Sequence, residues 1–169
     1  MNIVLIGYRG TGKSVVGELL ELHLGMPCIG MDEKIVARAG MSIPEIVERF
    51  GWTKFRNIES EIVLELSGLD NIIIDTGGGV IERPENIETL KRNSRIFWLR
   101  ASVDTIVKRI QADTQRPALT TGKTFTEEVA EILEQRIPKY KSAAQYEIDT
   151  DALTPEQVAE RIIQIFKKN

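Results

Sequence analysis

Gly7-Tyr8-Arg9-Gly10-Thr11-Gly12-Lys13-Ser14 fits the pattern G-x-x-x-x-G-K-[ST]. An apolar run precedes it and an apolar-periodic stretch follows, so the motif sits on a strand-to-helix turn. Glycines at 7, 10 and 12 let successive backbone N–H groups face inward, and the helix N-terminus adds partial positive charge. The result is a cradle for a polyphosphate. Gly10, Thr11, Gly12, Lys13, Ser14 and Val15 are its expected ATP contacts. Lys13 is expected to reach the β- and γ-phosphates, and Ser14 to ligate Mg²⁺, whose small octahedral shell leaves room for phosphate oxygens and water.

Ile72-Ile73-Ile74-Asp75 is a second buried run ending in a carboxylate, the pattern in which an Asp supports the metal of such a cradle. An Asp that merely caps a turn gives the same pattern, so both readings stay open. Thr76-Gly77-Gly78-Gly79 follows at once. Three glycines in a row cost chain entropy, which points to a group approaching the backbone closely, a positive φ, or a tight turn.

The elements that must hold these residues alternate along the chain. Short apolar runs at 2–6, 27–29, 71–75, 95–99 and 146–148 read as strands. Helical periods fall at 14–24, 31–39, 42–50, 55–67, 83–91, 103–111, 126–142 and 155–167. Such alternation predicts an α/β fold: a parallel sheet covered on both faces, with ligands beyond the carboxyl ends of its strands. Ser42-Ile43-Pro44-Glu45 and Thr154-Pro155-Glu156 mark two helix starts. The stretch 112–123 lacks periodicity and reads as a mobile lid.

Composition narrows the function classes. The 169 residues suit a single domain spanning 1–169, and 42% hydrophobic with 28% charged residues is the balance of a globular protein. A net charge of -3 lacks the basic footprint of nucleic-acid binding, so no nucleic acid partner is expected. The first apolar run is too short for a signal peptide and nothing is long enough to span a membrane, so a cytoplasmic monomer is expected. Cys28, the single cysteine, reads as a small buried side chain with no assigned function.

The cradle, Asp32, Phe55-Arg56-Asn57-Ile58-Glu59, Gly77-Gly78-Gly79, Arg116-Pro117 and Gln135-Arg136-Ile137-Pro138-Lys139-Tyr140 resemble the shikimate kinase family in order and spacing over nearly the whole chain. The resemblance implies a P-loop, nucleoside-monophosphate-kinase-like fold, with a five-stranded parallel sheet in the order 2-3-1-4-5. It implies ATP and shikimate as substrates, a substrate-binding helical region at about 31–62 and the lid at about 112–123. Arg56 and Arg136 match arginines that hold the substrate carboxylate, a target suited to the guanidinium fork. Asp32 matches the carboxylate that binds substrate hydroxyls and orients or deprotonates the attacking one. Gly77, Gly78 and Gly79 match the backbone lining the substrate pocket, Arg116 the lid arginine, and Arg109 a side chain near adenine. Lys13, Asp32 and Arg116 are thus the expected catalytic residues.

Glu59, one turn beyond Arg56, is positioned to hold that guanidinium. The chain also departs from the family. An acidic residue usually stands two positions before Asp32, on the magnesium side, and here position 30 is Gly. A small neutral residue commonly stands where this chain has Asp75, so Asp75 is the candidate replacement, directly or through water. Trp52 and Val47 also depart from the family's usual Glu and aromatic. Another small-molecule P-loop kinase, for gluconate or a nucleotide, and a non-catalytic nucleotide-binding relative are the alternative functions.

Overall fold

The structure is a computed structural model that describes residues 1–111 and 124–168. Its centre is β1 (Asn2–Ile6), five residues with no exposed hydrophobic side chain among Ile3, Val4, Leu5 and Ile6. A strand buried on both faces must be apolar at every position, and this one is nearly so. Around it run β2 (Cys28–Gly30), β3 (Ile73–Asp75), β4 (Ser94–Arg100) and β5 (Tyr146–Asp149), in the order β2-β3-β1-β4-β5 with every pair parallel. This is the order implied by the resemblance.

The helices are α1 (Lys13–Leu24), α2 (Met31–Ala39), α3 (Ile43–Ser67), α4 (Pro84–Lys91), α5 (Val103–Ile110), α6 (Phe125–Ala143) and α7 (Pro155–Lys167). Side-chain alternation along β1 divides the core between them. Ile3 and Leu5 face α1 and α7, joining Val16, Leu20, Val158 and Ile162. Val4 and Ile6 face α2, α3, α4 and α6, joining Ile35, Ile62, Leu90 and Tyr140. A third cluster packs Tyr8 against Ile106 and Ile110 of α5 and Val129 of α6, which fixes the loop after β1 from the side.

Two differences from the sequence reading have local causes. The periods at 42–50 and 55–67 form one element, α3, interrupted only at Gly51, whose φ of 81° and ψ of 169° break the helix for a single residue. The helix resumes at Trp52, which places that ring one turn before Phe55 and Arg56. The second strand begins at Cys28 rather than position 27, because Pro27 has no N–H to give the ladder and only accepts, from Ile73 N at 2.9 Å. Helix starts follow the expected caps: Ser42 and Glu45 form a reciprocal box, and Thr154 pairs with Gln157 rather than with the neighbouring Glu156.

Candidate functional site

The loop leaving β1 turns back into α1 through Gly12, which precedes the helix with φ 91°. No neighbour crowds a β-carbon there, so the left-handed backbone alone selects glycine. The turn buries Lys13 to 8% exposure, with Nζ donating to the carbonyls of Gly7 at 2.9 Å and Tyr8 at 3.1 Å. Thr11 Oγ1 donates to the same Tyr8 carbonyl at 2.8 Å, tying the loop's two limbs together. Arg109 of α5 donates from Nη1 to Gly10 O at 3.2 Å, and Val15 stands half exposed at the rim. Gly10, Gly12, Lys13, Ser14, Val15 and Arg109 therefore line one cavity.

Oxygen donors gather at one corner of that cavity. Ser14 Oγ donates to Asp75 Oδ2 at 2.6 Å. Asp75 ends β3 level with Leu5 on one side and Gly30 on the other, so it lies beside the position where a carboxylate is missing. The Glu33 carboxylate folds back over Gly30 and fills the space that a β-carbon at position 30 needs. The corner is electronegative: burial, and then the charges of Asp75, Glu21, Glu18 and Glu33, push the Cys28 thiol up to about 12. That thiol is protonated and inert at neutral pH. Among the described residues no three His, Cys, Asp or Glu side chains cluster tightly enough to hold a metal by themselves. One hydroxyl and one carboxylate do suit Mg²⁺, which takes hard oxygen donors and completes its shell with phosphate oxygens and water.

Beyond β3 the three glycines form the floor of a second pocket. None has a positive φ, so close approach is their reason. A β-carbon at Gly79 would stand 2.6 Å from Arg56 Cζ; one at Gly78 would meet Arg9 N at 3.3 Å, with Arg136 Nη1 at 3.6 Å; one at Gly77 would meet Asp32 Oδ1 and Glu59 Oε2, each at 3.2 Å. The floor is bare backbone because two guanidiniums and two carboxylates lie directly on it.

Each arginine is held by other groups. Arg56 donates from Nη1 to Glu59 Oε1 at 2.8 Å and lies 5.0 Å from the Phe55 ring centroid and 5.7 Å from that of Trp52. Glu59 is fully buried, and burial raises its carboxyl above the usual range although the Arg56 charge opposes that shift. Arg136, 7% exposed on α6, donates from Nε to Glu82 Oε1 at 2.8 Å and stacks 5.7 Å from the Tyr8 centroid. Lys139 Nζ donates to the other Glu82 oxygen at 2.6 Å. Burial pushes the Glu82 carboxyl up, but the hydrogen bonds from Lys139 and Arg136 outweigh it and leave the group below its ordinary value. A lowered carboxyl stabilises the fold above its unfolded pKa and loses that contribution as pH falls through the folded one. The melting-temperature gap between wild type and Glu82→Gln is therefore expected to be widest near neutrality. It should narrow below about pH 4.3; a gap constant with pH would show that Glu82 acts by packing alone.

Among the described residues, three buried side-chain polar atoms make no hydrogen bond: the Tyr8 hydroxyl, Arg9 Nε and Glu59 Oε2. All three residues line this second pocket, with Asp32, Trp52, Arg56 and Arg136. Buried groups without partners are costly, and a concentration of them in one cavity marks where a polar ligand completes them. Asp32, half-buried in the first turn of α2, lines this pocket and the phosphate cavity alike.

The expected site residues within the described region line these two cavities, except Thr11, which is buried with its hydroxyl on the Tyr8 carbonyl and lines a separate cavity with Trp98 and Leu133. Arg116 and the expected lid at 112–123 lie outside the described region. Glu82, Tyr8 and Arg9 were missed. Glu82 follows the glycine run by three residues but meets Arg136 across 54 positions, and no local pattern announces such a pair. Arg9 lies inside the phosphate motif at a position that the pattern leaves open.

Comparison with known proteins gives a consistent result. The family model described as shikimate kinase matches residues 9–167. A shikimate kinase of Thermodesulfovibrio yellowstonii is 43% identical over 99% of this chain and 95% of its own length. One from Caldicellulosiruptor bescii is 40% identical over 97% of this chain and 94% of its own. Among solved structures, the shikimate kinase of Acinetobacter baumannii in complex with shikimate superposes with a TM-score of 0.94 at 32% identity, covering 99% of this chain and 93% of that one.

Proposed function

This chain belongs to the shikimate kinase family, and from that membership and the two facing cavities we infer that it transfers the γ-phosphoryl group of ATP to the 3-hydroxyl of shikimate. The observation that carries the reading is the shared wall. A cationic phosphate nest and a pocket with two arginines on bare backbone meet at Asp32, which leaves one short path for a phosphoryl group.

The role of each residue follows from its surroundings. Arg56 and Arg136 hold the substrate carboxylate by charge-assisted bonds, pre-aimed by Glu59 and Glu82 so that little side-chain entropy is lost on binding. Glu59 Oε2 and the Tyr8 hydroxyl receive the ring hydroxyls as their missing partners. Asp32 accepts a hydrogen bond from the attacking hydroxyl and takes its proton as the new bond forms. Lys13 leaves the carbonyls of Gly7 and Tyr8 for the β- and γ-phosphates, whose charge increases its attraction. Arg116, outside the described residues, is assigned its role of stabilising the transferring group by the family resemblance alone, and Arg109 supports the nucleotide at the cavity mouth. Ser14 and Asp75 would hold Mg²⁺, which when bound neutralises phosphate charge. Rate enhancement comes from positioning and charge, since phosphoryl transfer passes through a loose transition state.

A coupled assay of ADP release across candidate acceptors tests the reading. Shikimate should raise ATP consumption strongly, while gluconate and nucleoside monophosphates leave it at background; stimulation by one of those instead would replace the assignment. Two variants test details of the site. Asp75→Ala is expected to raise the Mg²⁺ concentration for half-maximal rate roughly tenfold. An unchanged metal requirement would remove Asp75 from the metal's surroundings. Gly79→Ala sets a β-carbon against the Arg56 guanidinium and is expected to raise the KM for shikimate about tenfold with the ATP KM unchanged. Equal rises in both would indicate general damage rather than displacement of Arg56.

A further inference from the structure

Arg9 occupies the wall that the phosphoryl group must pass. It and Asp32 are the two residues lining both the acid pocket and the phosphate cavity. Its side chain is 14% exposed, and its Nε is buried without a hydrogen bond. Its counter-charge is loose: Glu128, 6% exposed on α6, stands 3.8 Å from Nη2. A charge-assisted hydrogen bond would close that to about 2.7–2.9 Å. The Phe125 ring lies 5.6 Å from the guanidinium and offers a face but no acceptor. On its other side the guanidinium is close enough to the Tyr8 hydroxyl to oppose the rise that burial gives the phenol, though neither group completes a well-aligned bond. A largely buried cation whose Nε donor is unspent, beside the path of a dianion, is arranged for an anion that arrives during the reaction.

We propose that Arg9 contacts the phosphoryl group as it crosses from the nest to the acid pocket, and afterwards holds the phosphate of the newly formed ester. The inference rests on the assignment of shikimate phosphorylation above. In that step the hydroxyl oxygen of the acceptor forms a bond to the γ-phosphorus. The bond from that phosphorus to the β,γ-bridging oxygen breaks with its electron pair going to ADP, and the hydroxyl proton passes to Asp32. Negative charge is spread over the three non-bridging oxygens as they move past Arg9, and the guanidinium fork matches two of them. The competing role for Arg9 is a mechanical one, clamping α6 to the phosphate loop through Glu128 and Phe125.

Calorimetric titration separates the two roles by measuring shikimate and shikimate 3-phosphate affinities on the same protein. Arg9→Met keeps the unbranched stem against Phe125 and removes the charge. It should weaken the phosphorylated product by about tenfold relative to shikimate and lower kcat by at least about tenfold. Arg9→Lys should recover part of the product affinity. Glu128→Gln, which loosens the counter-charge and leaves the cation, should keep product affinity at or above wild type. The proposal is overturned if Arg9→Met leaves the ratio of the two affinities unchanged, or if Arg9→Met and Glu128→Gln lose both affinities and melting temperature in parallel. Wild-type turnover of shikimate, measured first, distinguishes the layers. No ester from the wild type sinks the assignment and this inference together, whereas normal turnover with an unmoved affinity ratio sinks the role of Arg9 alone.

Discussion

Lys13→Ala is expected to lower kcat by about 10³-fold, the loss that follows removal of a single preorganised charge from a buried transition-state site. The nest is a closed backbone ring, and Lys13 is the side chain whose ammonium lies inside it, 8% exposed and bonded to the carbonyls of Gly7 and Tyr8. Those carbonyls keep the ammonium at the ring before any nucleotide binds, so the charge needs no search when phosphate arrives. ATP affinity should fall less than kcat, because the loop N–H groups and the positive end of α1 still bind the phosphates. Steady-state kinetics together with nucleotide titration check this, and a kcat within tenfold of wild type would deny Lys13 its place at the reacting group.

Arg136→Ala should raise the KM for shikimate by about 100-fold, corresponding to about 3 kcal/mol for a carboxylate held by charge-assisted bonds. The residue is buried, stacked on Tyr8 and fixed by Glu82, so its loss removes the aim as well as the charge. Glu82 retains Lys139, which limits the cost to folding. Arg136→Lys should recover little, since a single ammonium cannot reproduce the planar fork. At saturating shikimate kcat should stay within about tenfold of wild type, as the carboxylate is remote from the transferred group. An unchanged KM would mean that Arg136 serves the stack with Tyr8 and not the substrate.

The contrast between these two residues shows what can be read from sequence and what cannot. The nest around Lys13 is built from neighbours in the chain, so its spacing alone specifies the strand-to-helix turn and the lysine at the start of α1, while the burial of that lysine against the Gly7 and Tyr8 carbonyls is shown by the fold. β1 was legible to its ends for a related reason: a strand buried on both faces must be an unbroken apolar run. The acid pocket is assembled from α2, α3, the glycine run and α6, and the partners that aim its arginines divide by distance. Glu59 was legible because it lies one helical turn from Arg56, whereas Glu82 was not, being 54 residues from Arg136. The glycine run was visible as an oddity without a settled cause. Only the fold shows that Arg56, Arg136, Asp32 and Glu59 crowd its floor and that a positive φ has no part in it. Gly30 likewise read as a missing carboxylate. The structure adds what the strand register brings beside it, Asp75, and what leans over it, Glu33.

In the proposed reaction one phosphoryl group crosses between two cavities that meet at Asp32 and Arg9. Phosphorus NMR of a single tube holding enzyme, Mg²⁺, ATP and shikimate tests it most directly. The expected result is loss of the γ-phosphate resonance, an equal gain of ADP, and one new monoester signal coupled to the hydrogen at C3 of the acceptor, with ATP stable when shikimate is left out. Inorganic phosphate as the product, or ATP loss at the same rate with and without shikimate, would contradict it.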